Sequence, residues 1–495
     1  MKSQVLGEGT AAAMAKFLQA SYKVVAVQSR RVLLPFYGFF LNMTFIPTLF
    51  VLANLSFLII AQQAGNQSTE NAPKLTWQKC KRGGCVSQSG EVTADADARW
   101  LHNINGTSEC KGSSGWNPTF CPDPVTCSKN CALEGIADYS LNGVITNGSA
   151  LTMRLKNPNG YGPPRLYLKP TGRNTYEHFH LLNKEFTFDV DVSTLPCGTN
   201  AALYFAEMDK DGGMRKYIGN NAGARYGTGY CDAQCPNHPR FIHGEATVPE
   251  GNATVTKYGA CCNEMDIWEA NKISTGYTPH PCTKPSVYRC ASPDECNNIC
   301  DKGGCDNNPY RMGNPNFYGP GTNNTLDTNQ KMTVVTQFLT ERNKTSGDLI
   351  EIRRLYIQNG KLIKHATTNV ANMTKYCTTT DEYCAARVQA FSEGTDQFAL
   401  RGGLKTMGES LARGVVLIFS LWVDASETAM QWLDGVKFPP TAALGSPGSA
   451  RGTCTSNTST PAYIDANYPD AAVIFSNIKF GDIGTTYKVG TARLY

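Results

Sequence analysis

Charge is scarce in this chain. Asp, Glu, Lys and Arg make up 18% of its 495 residues, against roughly 25% in ordinary soluble domains, and the signs nearly cancel at 46 basic to 41 acidic. Five of the basic residues (Lys2, Lys16, Lys23, Arg30, Arg31) and one acid, Glu8, fall in residues 1–64, so the remainder holds 41 against 40. Without a basic face there is no electrostatic footprint for nucleic acid, and an uncharged polymer suits such a surface. No sustained helical period is evident, which excludes bundles and coiled coils. Histidine is rare, seven residues that do not cluster with the cysteines, so a zinc site is not expected. After residue 65 there is no long apolar run, repeat or low-complexity linker, so no membrane span is expected in the mature chain.

Glycine and proline, by contrast, are plentiful at 46 and 26, a loop-rich composition that fits one large all-β domain. Nineteen cysteines would be a liability in a reducing compartment and serve as crosslinks in a secreted protein. Several flank short Gly-, Pro- or Asp-containing loops: Cys80 and Cys85, Cys121 and Cys127, Cys290 and Cys296. Sequons at Asn105, Asn147, Asn252, Asn323, Asn343, Asn372 and Asn457 agree with export to the extracellular space. The uncharged run Thr44 to Ile60, followed by Ala61, Ala64 and Gly65, reads as a signal peptide cut between Gln62 and Gly65, with Met43 a possible start. The alternative is an uncleaved anchor with Arg30 and Arg31 on its near side. The expected organisation is an N-terminal extension and signal peptide over 1–64, then a single catalytic domain over 65–495 with no appended binding module.

Period-two alternation marks the strands. Phe186, Phe188, Val190 and Val192 alternate with Thr187, Asp189 and Asp191, a strand with one buried face. Further strands are expected at 201–208, 332–339, 413–423 and 472–480, with Asn147-Gly148 and Asn359-Gly360 as two-residue hairpin turns. The fold class that follows is all-β, a sandwich of antiparallel sheets with long loops.

Residues 261–271 read CCNEMDIWEAN. On a strand, Glu264 and Asp266 share a face and Glu269 points away, because five residues reverse the parity. A β-bulge between Asp266 and Glu269 would restore it, and bulges re-aim side chains beside active sites, so one is expected here. The glutamate backbones would then lie roughly 13 Å apart, with carboxyls able to approach the ~5–5.5 Å of a double-displacement glycosidase. A solvent-facing acidic strand would show the same spacing.

Around this motif the sequence resembles glycoside hydrolase family 7, the cellobiohydrolases and endoglucanases. The likeness runs through LTWQKC (75–80), CPDPVTCSKNC (121–131), EFTFDVDVSTLPCGTNAALYF (185–205), YGTGYCDAQCP (226–236), TPHPC (278–282), NPYRMGNPNFYGPG (308–321) and FSNIKFGDIG (475–484). It implies a β-jelly roll of two curved sheets with a cleft for cellulose or a related β-1,4-glucan along the concave face. Neither metal nor cofactor is implied, and a monomer is expected. Glu264 is implied as nucleophile, Asp266 as its partner, Glu269 as acid/base and His280 as a supporting residue near the acid. Trp100, Trp422 and Trp432 match sugar platforms; Asn200, Tyr204, Tyr230, Asp232 and Gln234 match polar residues of the cleft; Arg165, Arg311 and Arg451 match arginines beside it. The resemblance also implies nine disulfides: Cys80–Cys85, Cys110–Cys131, Cys121–Cys127, Cys197–Cys454, Cys231–Cys262, Cys235–Cys261, Cys282–Cys300, Cys290–Cys296 and Cys305–Cys384, leaving Cys377 free.

Three departures point to endo-acting cleavage. The 290–305 segment CASPDECNNICDKGGC lacks the Tyr- and Arg-containing roof loop of the cellobiohydrolases, and the 241–262 segment is also short. Ala98 stands where they carry a Trp. Trp422 and Arg451 keep release of cellobiose from chain ends open as the alternative. A non-catalytic glucan lectin is the competing class, but it has no use for Glu264, Asp266 and Glu269 together.

Overall fold

A computed structural model describes residues 62–251, 253–426 and 428–488. The apolar run 44–60 lies outside them. Two antiparallel sheets form the body. One contains, in spatial order, Lys361–Lys364, Leu349–Gln358, Met332–Thr340, Lys184–Asp191, Ala472–Asp482, Ala150–Arg154 and Val144–Asn147. The other is built from β1 (Gly90–Ala94), β2 (Leu166–Pro170), β3 (Thr199–Ala206), β4 (Glu264–Ala270), β5 (Thr275–His280) and β6 (Val415–Val423), in the order β5-β4-β3-β6-β2-β1.

Alternation sorts the residues as the sequence leads one to expect. Phe186, Phe188 and Val190 from the first sheet meet Ala201, Leu203 and Phe205 of β3 and Val415, Leu417, Phe419 and Leu421 of β6 in one core. Burying an aromatic or large aliphatic side chain of this kind contributes roughly 1.5–3 kcal/mol. The other faces of β3 and β6 present Tyr204, Val416 and Ile418 to a second apolar cluster with Tyr167 and Tyr230. That cluster lies beneath the cleft.

The expected strands all appear, with three differences elsewhere. Thr187 and Glu185, on the face expected to meet solvent, are buried, because Gly484, Thr485 and Thr486 fold over and donate their backbone N–H groups to the Glu185 carboxylate at 2.8, 2.9 and 2.8 Å. The first hairpin is shifted by one residue: Asn147 pairs with Ala150, so the turn is Gly148-Ser149, with Gly148 at φ 60° supplying the positive angle. Asn359-Gly360 forms the expected turn, both residues at positive φ. The chain also contains helices that the reading for period missed, α1 (Pro293–Ile299), α2 (Asp381–Phe391) and α3 (Gly403–Arg413). In α3 the buried Leu404, Met407, Gly408 and Leu411 do follow a 3.6-residue period, but over one short helix.

All nine expected disulfides are present and Cys377 is free and exposed. Gln63–Ala64, inside the expected cleavage window, pairs with Cys131–Leu133, so a cut after Ala64 would remove a strand residue pair from the fold. Among the described residues no helix is long and apolar enough to cross a membrane. The Cys197–Cys454 bridge joins residues 257 apart, a long loop whose closure restricts the unfolded chain. Replacing both cysteines by serine is expected to cost about 2–5 kcal/mol, read as a lower midpoint in denaturant unfolding.

Candidate active site

The bulge lies where parity requires it. Against β5, Asp266 pairs with Thr278 and Glu269 with Gly276, so Ile267 and Trp268 face the single residue Tyr277. Against β3 the register slips at the same place. Met265, Ile267, Trp268 and Ala270 all enter the core, two of them in succession, and Glu264, Asp266 and Glu269 therefore line one cavity of about 1730 Å³. Ala206 and Ala202, the β3 partners of Glu264 and Glu269, are small and leave the carboxylates room.

Each acid is held differently. Glu264 accepts the backbone N–H of Ala233 at 2.9 Å. Glu269 accepts an N–H of the Asn200 side chain at 2.8 Å. Asp266 lies 3.0 Å from Nε2 of His280, whose Nδ1 is 2.8 Å from the carbonyl of Asp301. A carbonyl only accepts, so Nδ1 carries a hydrogen, and Nε2 faces the Asp266 carboxylate. His280 thus lies directly against Asp266, and its charge also acts on Glu264 and Glu269. Gly304, at φ +61°, lets the 301–305 turn lie on His280; a Cβ there would fall 2.6 Å from the ring.

Burial raises all three acids. Glu264 and Asp266 are pushed well above the carboxylate range, by desolvation first and then by neighbouring acids, Asp266 and Asp232 for Glu264 and Asp232 for Asp266. Glu269 rises to about 8, through desolvation and then the Asp266 charge. Tyr204 and Tyr230 extend the polar network: Tyr230 donates to Asp232 at 2.6 Å, leaving its oxygen 3.0 Å away to accept from Tyr204. Arg165 stacks over Tyr230, 3.6 Å from the ring centroid. Asp232 accepts the backbone N–H of Gln234 at 2.8 Å, and the Gln234 side chain donates to the Lys302 carbonyl at 2.8 Å.

The chain matches the sequence model of Glycosyl hydrolase family 7 over residues 64–487. It belongs to that family. Among solved structures, a family 7 cellobiohydrolase from Daphnia pulex is 41% identical over 86% of this chain and 100% of its own, with TM-score 0.81. An endocellulase from Humicola insolens is 39% identical with the same coverage of both chains and TM-score 0.75. A cellobiohydrolase from Melanocarpus albomyces, solved with cellotetraose, is 39% identical, again over 86% and 100%, with TM-score 0.78. The sandwich described above is thus the family 7 jelly roll.

The aromatic platforms divide. Trp422 and Trp432 both line the cavity and stack on each other at 6.3 Å and 27°. Trp100 does not join the cavity lining; it is 38% exposed and stacks on His102 at 4.2 Å. Arg311 and Arg451 converge on Asp306, an acid that the sequence reading missed, together with Arg387 and Glu393. Arg311, Arg387 and Arg451 hold Asp306 far below the usual carboxylate range despite its burial. Burial and the Arg311 cation lower Arg451 to about 9. Asp306 could have been found from its place between Cys305 and NPYR; Arg387 and Glu393 stand in no motif.

The raised pKa of Glu269 has a stability consequence. The folded protein keeps a proton that the unfolded chain releases, so this residue's contribution weakens as pH rises from about 4.5 towards 8. Glu269→Gln removes that dependence, and its stability relative to wild type should increase with pH to a gain on the order of 3 kcal/mol at pH 8. Denaturant unfolding of both proteins at several pH values measures it.

Proposed function

We propose that the protein hydrolyses internal β-1,4-glucosidic bonds in cellulose and related glucans with retention of configuration. The observation that carries this reading is Glu264 and Glu269 on one face of β4, turned into one cleft by the bulge. Glu269, raised to about 8, is protonated at neutral pH and gives its proton to the leaving glycosidic oxygen as a Glu264 oxygen bonds to the anomeric carbon. Glu269, now ionised, takes a proton from water; the water oxygen attacks the same carbon and the bond to Glu264 breaks. Glu264 attacks as the carboxylate; the Ala233 N–H and His280 favour that form against the burial and the neighbouring acids that raise it. Trp422 and Trp432 offer flat faces to the apolar C–H surfaces of sugar rings. The substrate class is further supported by relatives solved with cellobiose and with cellotetraose. Nine disulfides support a secreted protein.

Internal cleavage is supported by the segment beside β5. Only three residues separate Cys296 from Cys300; they belong to or directly follow the body of α1, and Cys290 and Cys282 anchor the two ends. At most ~3.6 Å per residue, this stretch is too short to arch over a polymer. A second reading, release of cellobiose from chain ends, is favoured by Phe391, Phe438 and Pro439, which line the same cleft around the arginines.

Glu264→Gln is expected to abolish hydrolysis of all substrates, lowering kcat/KM by at least ~10³-fold. Glu269→Gln should lower it ~10²–10⁴-fold on substrates with poor leaving groups and far less on activated aryl cellobiosides. Wild-type kcat/KM should decline as pH rises through about 8, where Glu269 loses its proton. Near-normal activity of Glu264→Gln would sink the mechanism. Carboxymethyl cellulose should lose viscosity quickly while few reducing ends appear; nearly constant viscosity with cellobiose as main product would establish the chain-end reading instead.

A further inference from the structure

Beneath the bulge lies a buried cation that the mechanism above does not use. Arg354, on the strand Leu349–Gln358 of the facing sheet, is 1% exposed. One of its nitrogens, Nη2, donates to the carbonyl of Ile267, and Nε and Nη1 have no hydrogen-bond partner. Among the described residues no carboxylate pairs with it. Its guanidinium stands 4.5 Å from the ring centroid of Tyr277 and 5.8 Å from that of Tyr356. His365, which lies against the Tyr277 and Tyr356 rings, is held neutral by burial and by this cation.

The two direct partners are the two sides of the bulge. Ile267 is the first of the doubled residues on β4, and Tyr277 is the single residue of β5 opposite them. A bulge interrupts the ladder and leaves a backbone group unpaired; here the surroundings are apolar, where an unmet carbonyl is costly. Arg354 satisfies it and lies over the opposing ring, a cation–π contact. The Tyr277 hydroxyl is fixed in turn by the Asn307 side chain, which donates to it at 3.0 Å. If the strand relaxed to a regular register, period two would turn Glu269 towards the core.

We propose that Arg354 is a positioning residue that pins the bulge and thereby keeps Glu269 in the cleft as the proton donor. The inference rests on the acid/base reading of Glu269. Thermal stability is not the diagnostic measurement, because replacing a buried unpaired charge by an apolar side chain is often neutral or stabilising. The diagnostic is the leaving group. Loss of the bulge displaces the acid but leaves Glu264, on the N-terminal side of the irregularity, in place.

Arg354→Met, Glu269→Gln and the wild-type protein are compared on phenyl and 2,4-dinitrophenyl β-cellobiosides. Active molecules are counted by trapping with an activated 2-deoxy-2-fluoro cellobioside. Arg354→Met is expected to lose at least ~100-fold in kcat/KM on the phenyl substrate and under ~5-fold on the dinitrophenyl one, as Glu269→Gln does. Equal losses on both substrates, or no loss on either, overturn the proposal while a selective Glu269→Gln control upholds the acid assignment. A control without selectivity overturns that assignment and the proposal with it. Where Arg354→Met yields no trappable enzyme, Tyr277→Leu, which removes the opposing ring, is judged by the same two ratios.

Discussion

Three carboxylates crowded on one face of a buried strand repel one another and lose the hydration that would stabilise their charges. Much of the surrounding structure answers to that constraint. Ala233 supplies a backbone donor to Glu264, Asn200 an amide to Glu269, and the His280 ring lies against Asp266. The donors differ from acid to acid, and the proposed chemistry asks for such a difference: one oxygen that attacks and one that first gives up a proton. The same burial that disfavours charge on Glu269 keeps it an acid at neutral pH.

The opposite electrostatic solution is found deeper along the cleft. Asp306 is also buried, yet Arg311, Arg387 and Arg451 surround it and keep it ionised. Glu393 shares two of those arginines. Its charge is structural, since it fixes the guanidinium groups that line the wall. Two buried acidic sites in one cavity thus titrate in opposite directions, and the difference lies in the cations that the loops bring to them.

Those loops are held by covalent links as much as by packing. The disulfides Cys290–Cys296 and Cys282–Cys300 bracket α1, and Cys282 follows β5 by two residues after His280. The cleft wall therefore stays short and tied to the sheet that carries the acids. Between the sheets, Arg354 joins the second layer to the irregularity in β4. Geometry at the reacting carboxylates is thus set from both layers of the sandwich.

Much of this was legible in the amino-acid order. Alternation in the strands around 186–192 and 413–423 reports local burial, which a period-two pattern records directly. The bulge was legible because Glu264 and Glu269 could share a face only if the parity slipped between them. The disulfide pattern and the family were carried by motifs spread over most of the chain. What the sequence did not disclose depended on distant segments meeting. Glu185 and Thr187 are buried where residues 484–486 close over them; Asp306 gathers arginines from positions 311, 387 and 451; His280 finds Asp266 across a strand pair; Trp100 stacks on His102. Arg354 is the clearest case. In sequence it is one of two adjacent arginines on a strand, and only the packing of the two sheets, which places it under a carbonyl freed by the bulge, distinguishes it from its neighbour. Sequence determined which faces are buried and which residues can do the chemistry; tertiary structure decided their partners and charges, because both are set by neighbours far away along the chain.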